Sequence, residues 1–364
     1  MLKKSKNYYS PNNQNKIIYI FPGQGCQYKG MGSDIIREFD VARKIYDQAS
    51  EVLGYDMIEL SINDPENKLD KTEFTQPALL THEIACMESM LSLVSDKELV
   101  RPYLALGHSL GEYAALVATN TLSFSKAIKL VKRRAEIMSE CASGSMVATN
   151  LNFETAKKYA ASTFLSLAAH NSEKQTVLAG NDRAVDLFLN SIASFNKRIK
   201  AIKLNTEGPF HSHLMAPAAE NFYEDLLNTN FSIRFSDAIV HPSIISNHSA
   251  NLHPLIEHSI PDDQASFYEA IEDAFRSTLY FQIFSPVLWL DSMKKAIEQE
   301  PILFIEFGGG IGKEQGPENK RANLMSMNKK TILSDNKSIE YLASINKKTI
   351  VSSAEKLNNL VLGD

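Results

Sequence analysis

The sequence predicts an α/β protein in which a mainly parallel sheet is covered by helices and a small ferredoxin-like unit is inserted. Three observations carry this. Short apolar runs end in glycine turns and lead into helical patterns, at residues 16–21 (KIIYIF) before GQG and at 103–106 before GHSLG. Residues 145–204 alternate instead in the order β-α-β-β-α-β. The chain of 364 residues has length enough for both units.

The elements follow in order. Residues 16–21 read as a buried strand, and two amphipathic helices follow at about 34–53 and 76–95. A short apolar strand ends at 106, the stretch 112–119 looks helical, and Ser123 offers an N-cap for a helix from Phe124 to about Cys141. In the small unit, strands are expected at 145–150, 165–169, 176–179 and 197–204, with helices at 155–159 and 182–191. The chain then returns with a helix after Leu214, apolar segments at 242–246 and 302–307, and helices near 266–277 and 287–299. The C-terminal stretch is rich in lysine and asparagine, and its strand-like pieces KKTIL and KKTIV find no place in this scheme. The expected division is therefore 16–142 with 206–364 as the large unit, 143–205 as the small one, and 1–15 as a polar extension.

Composition excludes several classes. With 38 basic and 43 acidic residues, a net charge of −5, 44% hydrophobic and 22% charged residues, the chain is neither collagenous nor coiled coil nor broadly disordered. A general nucleic-acid binder would carry a basic excess that is missing here. Cys26, Cys86 and Cys141 are widely spaced and form no CxxC pair, which argues against a disulfide framework or a cysteine zinc site. Residues 1–15 lack the apolar run of a signal peptide, and the apolar stretch 77–94 is broken by His82, Glu83 and Glu88. A cytoplasmic protein with no membrane segment is the expectation.

Gly107-His108-Ser109-Leu110-Gly111 matches GxSxG after an apolar strand and before a helix. Small flanking residues permit a sharp strand-to-helix turn that exposes the serine hydroxyl and aims backbone N–H groups at an oxyanion. The plain alternative is a glycine turn with a capping serine. An activated serine needs a base. None of the nine histidines lies in the last hundred or so residues, where the usual hydrolase order would put it. His211, in GPFHSHLM, is the best-placed candidate; a structural histidine and an HxH metal pair with His213 are the alternatives. On the helix from Phe124, Arg134 occupies an apolar-stripe position set by Ala127, Leu130, Val131, Ile137 and Met138. An inward guanidinium must be paired, by an internal Asp or Glu or by a substrate carboxylate held with two hydrogen bonds. The run from Gly308 to Lys313 lacks the spacing of a phosphate-binding loop.

Together these residues resemble the malonyl-CoA:acyl-carrier-protein transacylases, including the acyltransferase domains and free-standing acyltransferases of polyketide synthases. The matching segments fall in order: FPGQGCQYKGMG at 21–32, FTQPALLTHE at 74–83, GHSLGEYAAL at 107–116 and KLVKRRAEIM at 129–138. GSMVAT at 144–149, AAHNSEKQTVLAG at 168–180, GPFHSHLM at 208–215 and FQIFSPVLW at 281–289 continue the series. The resemblance implies a hydrolase-like α/β core with an inserted ferredoxin-like subdomain. It also implies Ser109 as nucleophile, His211 as general base, and the backbone N–H groups of Gln24 and Leu110 as oxyanion hole. Arg134 would hold the malonyl carboxylate, Gln282 would position His211 through its backbone carbonyl, and His108 and Asn171 would line the cleft. Phe210 beside His211 resembles malonyl-selecting members.

The implied reaction is ping-pong transfer from malonyl-CoA, as substrate, to the phosphopantetheine thiol of an acyl carrier protein. It calls for no bound cofactor or metal. Cys26 stands in place of the family's usual serine, and Gly309 stands where the family commonly has proline. The insertion at 252–264 (LHPLIEHSIPDDQ) and the tail after Gly312 also depart, which favours a specialised polyketide role over the housekeeping one. A hydrolase clearing stalled acyl groups would need Ser109 and His211 but no carboxylate clamp. A silent carrier-docking module would have lost one of those two residues. Carrier proteins are typically acidic, so basic patches at Lys197, Arg198, Lys200 and Lys203, or at Lys129, Lys132 and Arg133, are candidate contacts.

Overall fold

In the computed structural model, which describes residues 16–195, 198–232, 243–253, 264–331 and 338–362, the run Ile17–Phe21 forms strand β1, buried at every position. Such a run suits a central parallel strand covered on both faces. The other strands are β2 (Leu104–Gly107), β3 (Ser145–Thr149), β4 (Ser166–Ser172), β5 (Gln175–Gly180) and β6 (Ala201–Lys203). They continue with β7 (Ser243–Ile245), β8 (Leu252–His253), β9 (Leu303–Phe307) and β10 (Glu340–Ser344). The large sheet runs β10-β9-β1-β2-β7-β8, parallel except for the antiparallel edge strand β8. Because β1, β2, β7 and β9 are parallel, the turns that follow them gather along one edge, where open α/β sheets bind ligands.

The small sheet is antiparallel, in the order β4-β5-β3-β6, with the helices Phe153–Thr163 and Asp182–Phe195 between its strands. This is the ferredoxin-like arrangement the β-α-β-β-α-β pattern predicts. It has its own core of Val147, Leu178, Val185 and Phe188. The two sheets are tied by a short strap. The Val287 N–H donates to the Ala168 carbonyl (2.9 Å), the His170 N–H to the Val287 carbonyl (2.8 Å), and the Leu288 N–H to the Asn247 carbonyl (2.8 Å).

Three expectations are corrected. The helix expected at 34–53 divides at Phe39, which is extended (φ −118°, ψ 115°) between the helices Ser33–Glu38 and Asp40–Leu53. Burial of the Phe39 ring in the core accompanies that bend. KKTIV is not strand-like: it opens the helix Lys347–Leu362, where Asn346 Oδ1 accepts the Thr349 N–H (3.0 Å) as an N-cap. The first three residues of KKTIL end the helix Met325–Thr331. Between these helices β10 extends the sheet beyond β9, an element the sequence reading did not place. The N-terminal extension, Lys197, Pro242 and residues 254–263 of the insertion lie outside the described residues. Among the described residues, no helix is long and apolar enough to cross a membrane.

Candidate active site

The turn after β2 has no room for side chains at its two glycines. A Cβ on Gly107 would lie 1.9 Å from the Gly111 carbonyl carbon, and one on Gly111 would lie 2.3 Å from the Phe21 carbonyl oxygen. The helix Gly111–Ala118 therefore starts directly against β1 and β2. Ser109 between them takes a left-handed backbone (φ 52°), a conformation that costs a non-glycine residue about 1–2 kcal/mol.

The Ser109 hydroxyl lies 2.7 Å from His211 Nε2, and His211 Nδ1 lies 2.9 Å from the Gln282 backbone carbonyl. A carbonyl can only accept, so the ring proton sits on Nδ1 and Nε2 is free to accept from Ser109. Burial, reinforced by the positive Arg134, pushes the His211 pKa down to about 3, which keeps the ring neutral near pH 7. His211 is itself left-handed (φ 59°). His213 turns elsewhere, with its Nδ1 2.7 Å from the Ser166 hydroxyl, so the HxH pair does not converge.

Arg134 is 1% exposed, the inward position its helical stripe predicts. Its Nη1 donates to Gln76 Oε1 (2.6 Å), and its Nη2 to Gln282 Oε1 (3.0 Å) and to the Ser109 hydroxyl oxygen (3.2 Å). Its guanidinium carbon is 5.6 Å from the Tyr113 ring centroid. The internal acid considered as its partner is replaced by two neutral amides. Glu112 lies close enough to act on it electrostatically, but burial pushes that carboxyl up to about 8, so it is largely neutral near pH 7. Near pH 7 that carboxyl therefore does little to offset the guanidinium beside the Ser109 hydroxyl.

The remaining predicted residues are placed as follows. His108 Nε2 lies 2.9 Å from Asn171 Oδ1, which joins the elbow to β4 of the small sheet. Among the described residues, no acceptor is paired with the backbone N–H of Gln24 or Leu110, and the Gln24 side chain donates to the Thr72 hydroxyl (3.1 Å). Phe210 is buried, its ring near the Gly208 backbone. Cys26 donates to the Gly23 carbonyl (3.0 Å) and packs against Gly309, where a Cβ would come within 2.5 Å of its sulfur. Gly309 has φ 65°, which proline's ring forbids, so this turn is shaped for the residue present.

Three residues absent from the sequence reading stand among these groups. Asn247 Oδ1 accepts the Ser109 N–H (2.5 Å), Gln76 holds Arg134, and Glu112 Oε2 accepts from Gln282 Nε2 (2.6 Å). Glu112, a charged type in an otherwise apolar short helix, was the one legible signal. Of the basic candidates, Lys132 pairs with Glu136, Arg133 with Asp225 (3.3 Å) and Lys203 with Asp182 (3.1 Å). Lys126, Lys129 and Arg133 line a groove of about 280 Å³.

A serine elbow on a parallel sheet, with a histidine held to accept from it, places the protein among α/β enzymes that pass acyl groups through serine. Residues 18–300 match the acyl transferase domain family. The chain is 34% identical over 305 residues to the malonyl CoA-acyl carrier protein transacylase of Bacillus subtilis (strain 168), covering 81% of this chain and 87% of that protein. It is 34% identical over 304 residues to the polyketide biosynthesis malonyl CoA-acyl carrier protein transacylase BaeC of Bacillus velezensis, covering 81% and 93%. The crystal structure of the malonyl CoA-acyl carrier protein transacylase from Clostridium perfringens superposes with a TM-score of 0.77 at 29% identity, covering 95% of this chain and 98% of that one. The chain belongs to the acyl transferase domain family and, within it, to the malonyl-CoA:acyl-carrier-protein transacylases.

Proposed function

We propose that this protein moves a malonyl group from malonyl-CoA, through an ester on Ser109, to the phosphopantetheine thiol of an acyl carrier protein. The observation that carries the reading is Arg134: a buried guanidinium on neutral partners, 3.2 Å from the Ser109 hydroxyl. In a malonyl thioester one methylene separates the carboxylate from the reacting carbonyl, so its cation must stand beside the nucleophile. A hydrolase of neutral acyl groups has no use for that cation.

Ser109 Oγ attacks the thioester carbonyl while His211 Nε2 takes its proton. The tetrahedral oxyanion is received by the backbone N–H groups of Gln24 and Leu110. On collapse the C–S bond breaks, and the departing CoA sulfur takes the proton from His211. The carrier thiol then attacks the seryl ester and gives its proton to His211, which returns it to Ser109 Oγ. His108 and Asn171 hold the cleft wall. Lys126 and Lys129, on their groove, are the candidate carrier contacts in the large unit. The division into 16–142 with 206–364, and 143–205, is the domain reading we adopt.

We further assign the protein to polyketide assembly. The supporting features are Gly309, Cys26, the insertion at 252–264 and the divergent tail after Gly312; identity does not decide, since the Bacillus subtilis transacylase and the polyketide relative BaeC are both 34% identical. Intact-mass measurement after brief mixing with malonyl-CoA or acetyl-CoA tests the chemistry. A malonyl adduct that Ser109→Ala abolishes, and that is much weaker with acetyl-CoA, is the expected result. Rapid release of acetyl groups into water from acetyl-carrier protein, with no malonyl adduct, would make the protein a hydrolase. Faster malonyl transfer to a fatty-acid carrier than to a polyketide carrier would overturn the polyketide assignment.

A further inference from the structure

Ser109 is held at both of its peptide groups by side chains from other parts of the chain. Its N–H donates to Asn247 Oδ1 (2.5 Å), and its carbonyl accepts from Gln282 Nε2 (2.9 Å) as well as from the Glu112 N–H (3.1 Å). Asn247 Nδ2 in turn donates to the Gly107 carbonyl (2.6 Å), so one amide spans the elbow from the end of β2 to the serine. Glu112 joins the two supports: its Oε2 accepts from Gln282 Nε2 (2.6 Å) and from the Asn247 N–H (3.4 Å). All three side chains are almost fully buried, at 2% exposure for Asn247, 0% for Glu112 and 1% for Gln282.

We infer that Asn247 and Glu112 are positioning residues of this active site, acting as a buried clamp that holds the serine elbow in its left-handed shape and aims the oxyanion donor. The inference rests on Ser109 being the nucleophile. Its physical basis is peptide planarity. The Ser109 carbonyl and the Leu110 N–H belong to one trans peptide and point in opposite directions. A hydrogen bond that fixes the carbonyl therefore fixes the direction of the Leu110 N–H. Glu112 holds the Gln282 amide that makes this bond, and the same amide's Oε1 takes Arg134 Nη2 (3.0 Å). Asn247 works on the preceding peptide, whose N–H would otherwise be buried without an acceptor where the backbone is strained. Glu112 serves as a hydrogen-bonding group and not as a counter-ion, since the guanidinium bonds the amides and not this carboxyl.

Active-site titration with a fluorophosphonate, steady-state kinetics and thermal melting on full-length variants test the clamp. Asn247→Ala is expected to lower kcat per folded protein about 100-fold, the cost of a misplaced reacting group, with KM for malonyl-CoA within about threefold and the malonyl-to-acetyl preference kept. Glu112→Leu should lower kcat similarly, and Glu112→Gln, which keeps a neutral acceptor at Oε1, should recover most of it. The rate at which the fluorophosphonate modifies Ser109 should fall in parallel. A lower melting temperature with kcat per folded molecule unchanged would reduce both residues to filling and overturn the inference, as would a Glu112→Gln variant no better than Glu112→Leu. Should Asn247→Ala fail to fold, the Glu112 pair decides alone. Failure of wild type to take malonyl on Ser109 would strike the proposed function instead, and the fluorophosphonate rates would still judge the clamp.

Discussion

Two buried polar clusters flank the central strand β1, and only one holds the residues proposed for the chemistry. The first joins Ser109, His211, Arg134, Gln282 and Asn247 at the sheet edge. The second lies beneath the turn after β9 and contains His82, Glu83, Cys86 and Glu306. Their electrostatics look alike. Burial pushes Glu306 up to about 7 and Glu83 well above the usual carboxylate range, as it raises Glu112, and it pushes His82 down to about 4. Their hydrogen bonding does not. Both histidines bond a backbone group, but the other nitrogen of His211 meets a serine hydroxyl (2.7 Å), whereas His82, bonded to the Ile345 backbone, also faces the Tyr46 hydroxyl (3.2 Å) and the Cys86 sulfur (3.6 Å). Glu306 accepts from the Leu324 N–H and the Tyr341 hydroxyl, both at 2.8 Å, while neither carboxyl oxygen of Glu83 has a partner among the described residues. Burial perturbs titration wherever it occurs, so a shifted pKa marks chemistry only where partners converge on a reacting group.

Arg134→Ala should separate the clusters most sharply. Losing the partner of a buried carboxylate costs about 3 kcal/mol, so kcat/KM for malonyl-CoA should fall roughly 100-fold while acetyl transfer stays within a few-fold. Equal loss for both acyl groups would make Arg134 a structural brace. A smaller effect is expected from pH. With His211 as the proposed base, its neutral form is the competent one; burial and Arg134 hold its pKa at about 3, so activity is expected to fall only as pH approaches that value. Serine acylation should hardly change between pH 7 and pH 5, where a histidine of ordinary pKa would lose about 25-fold. An acid limb near pH 6.5 in rapid-quench acylation would show that His211 is solvated.

The smallest effect belongs to the second cluster. Burial holds the folded Glu83 carboxyl well above the usual carboxylate range while the unfolded chain ionises it within that range, so the native state loses stability as pH rises through and above that range. Glu83→Gln removes that loss. Its melting temperature relative to wild type should rise by about 2 °C or more between pH 4 and pH 8, with malonyl transfer unchanged. A difference that stays flat across that range would place a cation or water beside Glu83.

What could be read from the sequence was local. Strand β1, the two elbow glycines and Ser109 follow from an apolar run meeting a turn with no room for side chains. Arg134 follows from the 3.6-residue period of one helix. KKTIV misled because a short run containing β-branched residues suits strand and helix alike, and the Asn346 cap that decides the matter is one side chain on one N–H. The clamp was out of reach for a different reason. Asn247 and Gln282 meet Ser109 across 138 and 173 residues of sequence, and no periodicity records a contact between segments that far apart. The sequence by itself determined the strand-turn-helix units and the residue types they carry. Only the tertiary structure decided which nitrogen of His211 is protonated, which amides hold Arg134 and which carbonyl aims Leu110, because each depends on hydrogen bonds that exist only once distant strands lie side by side.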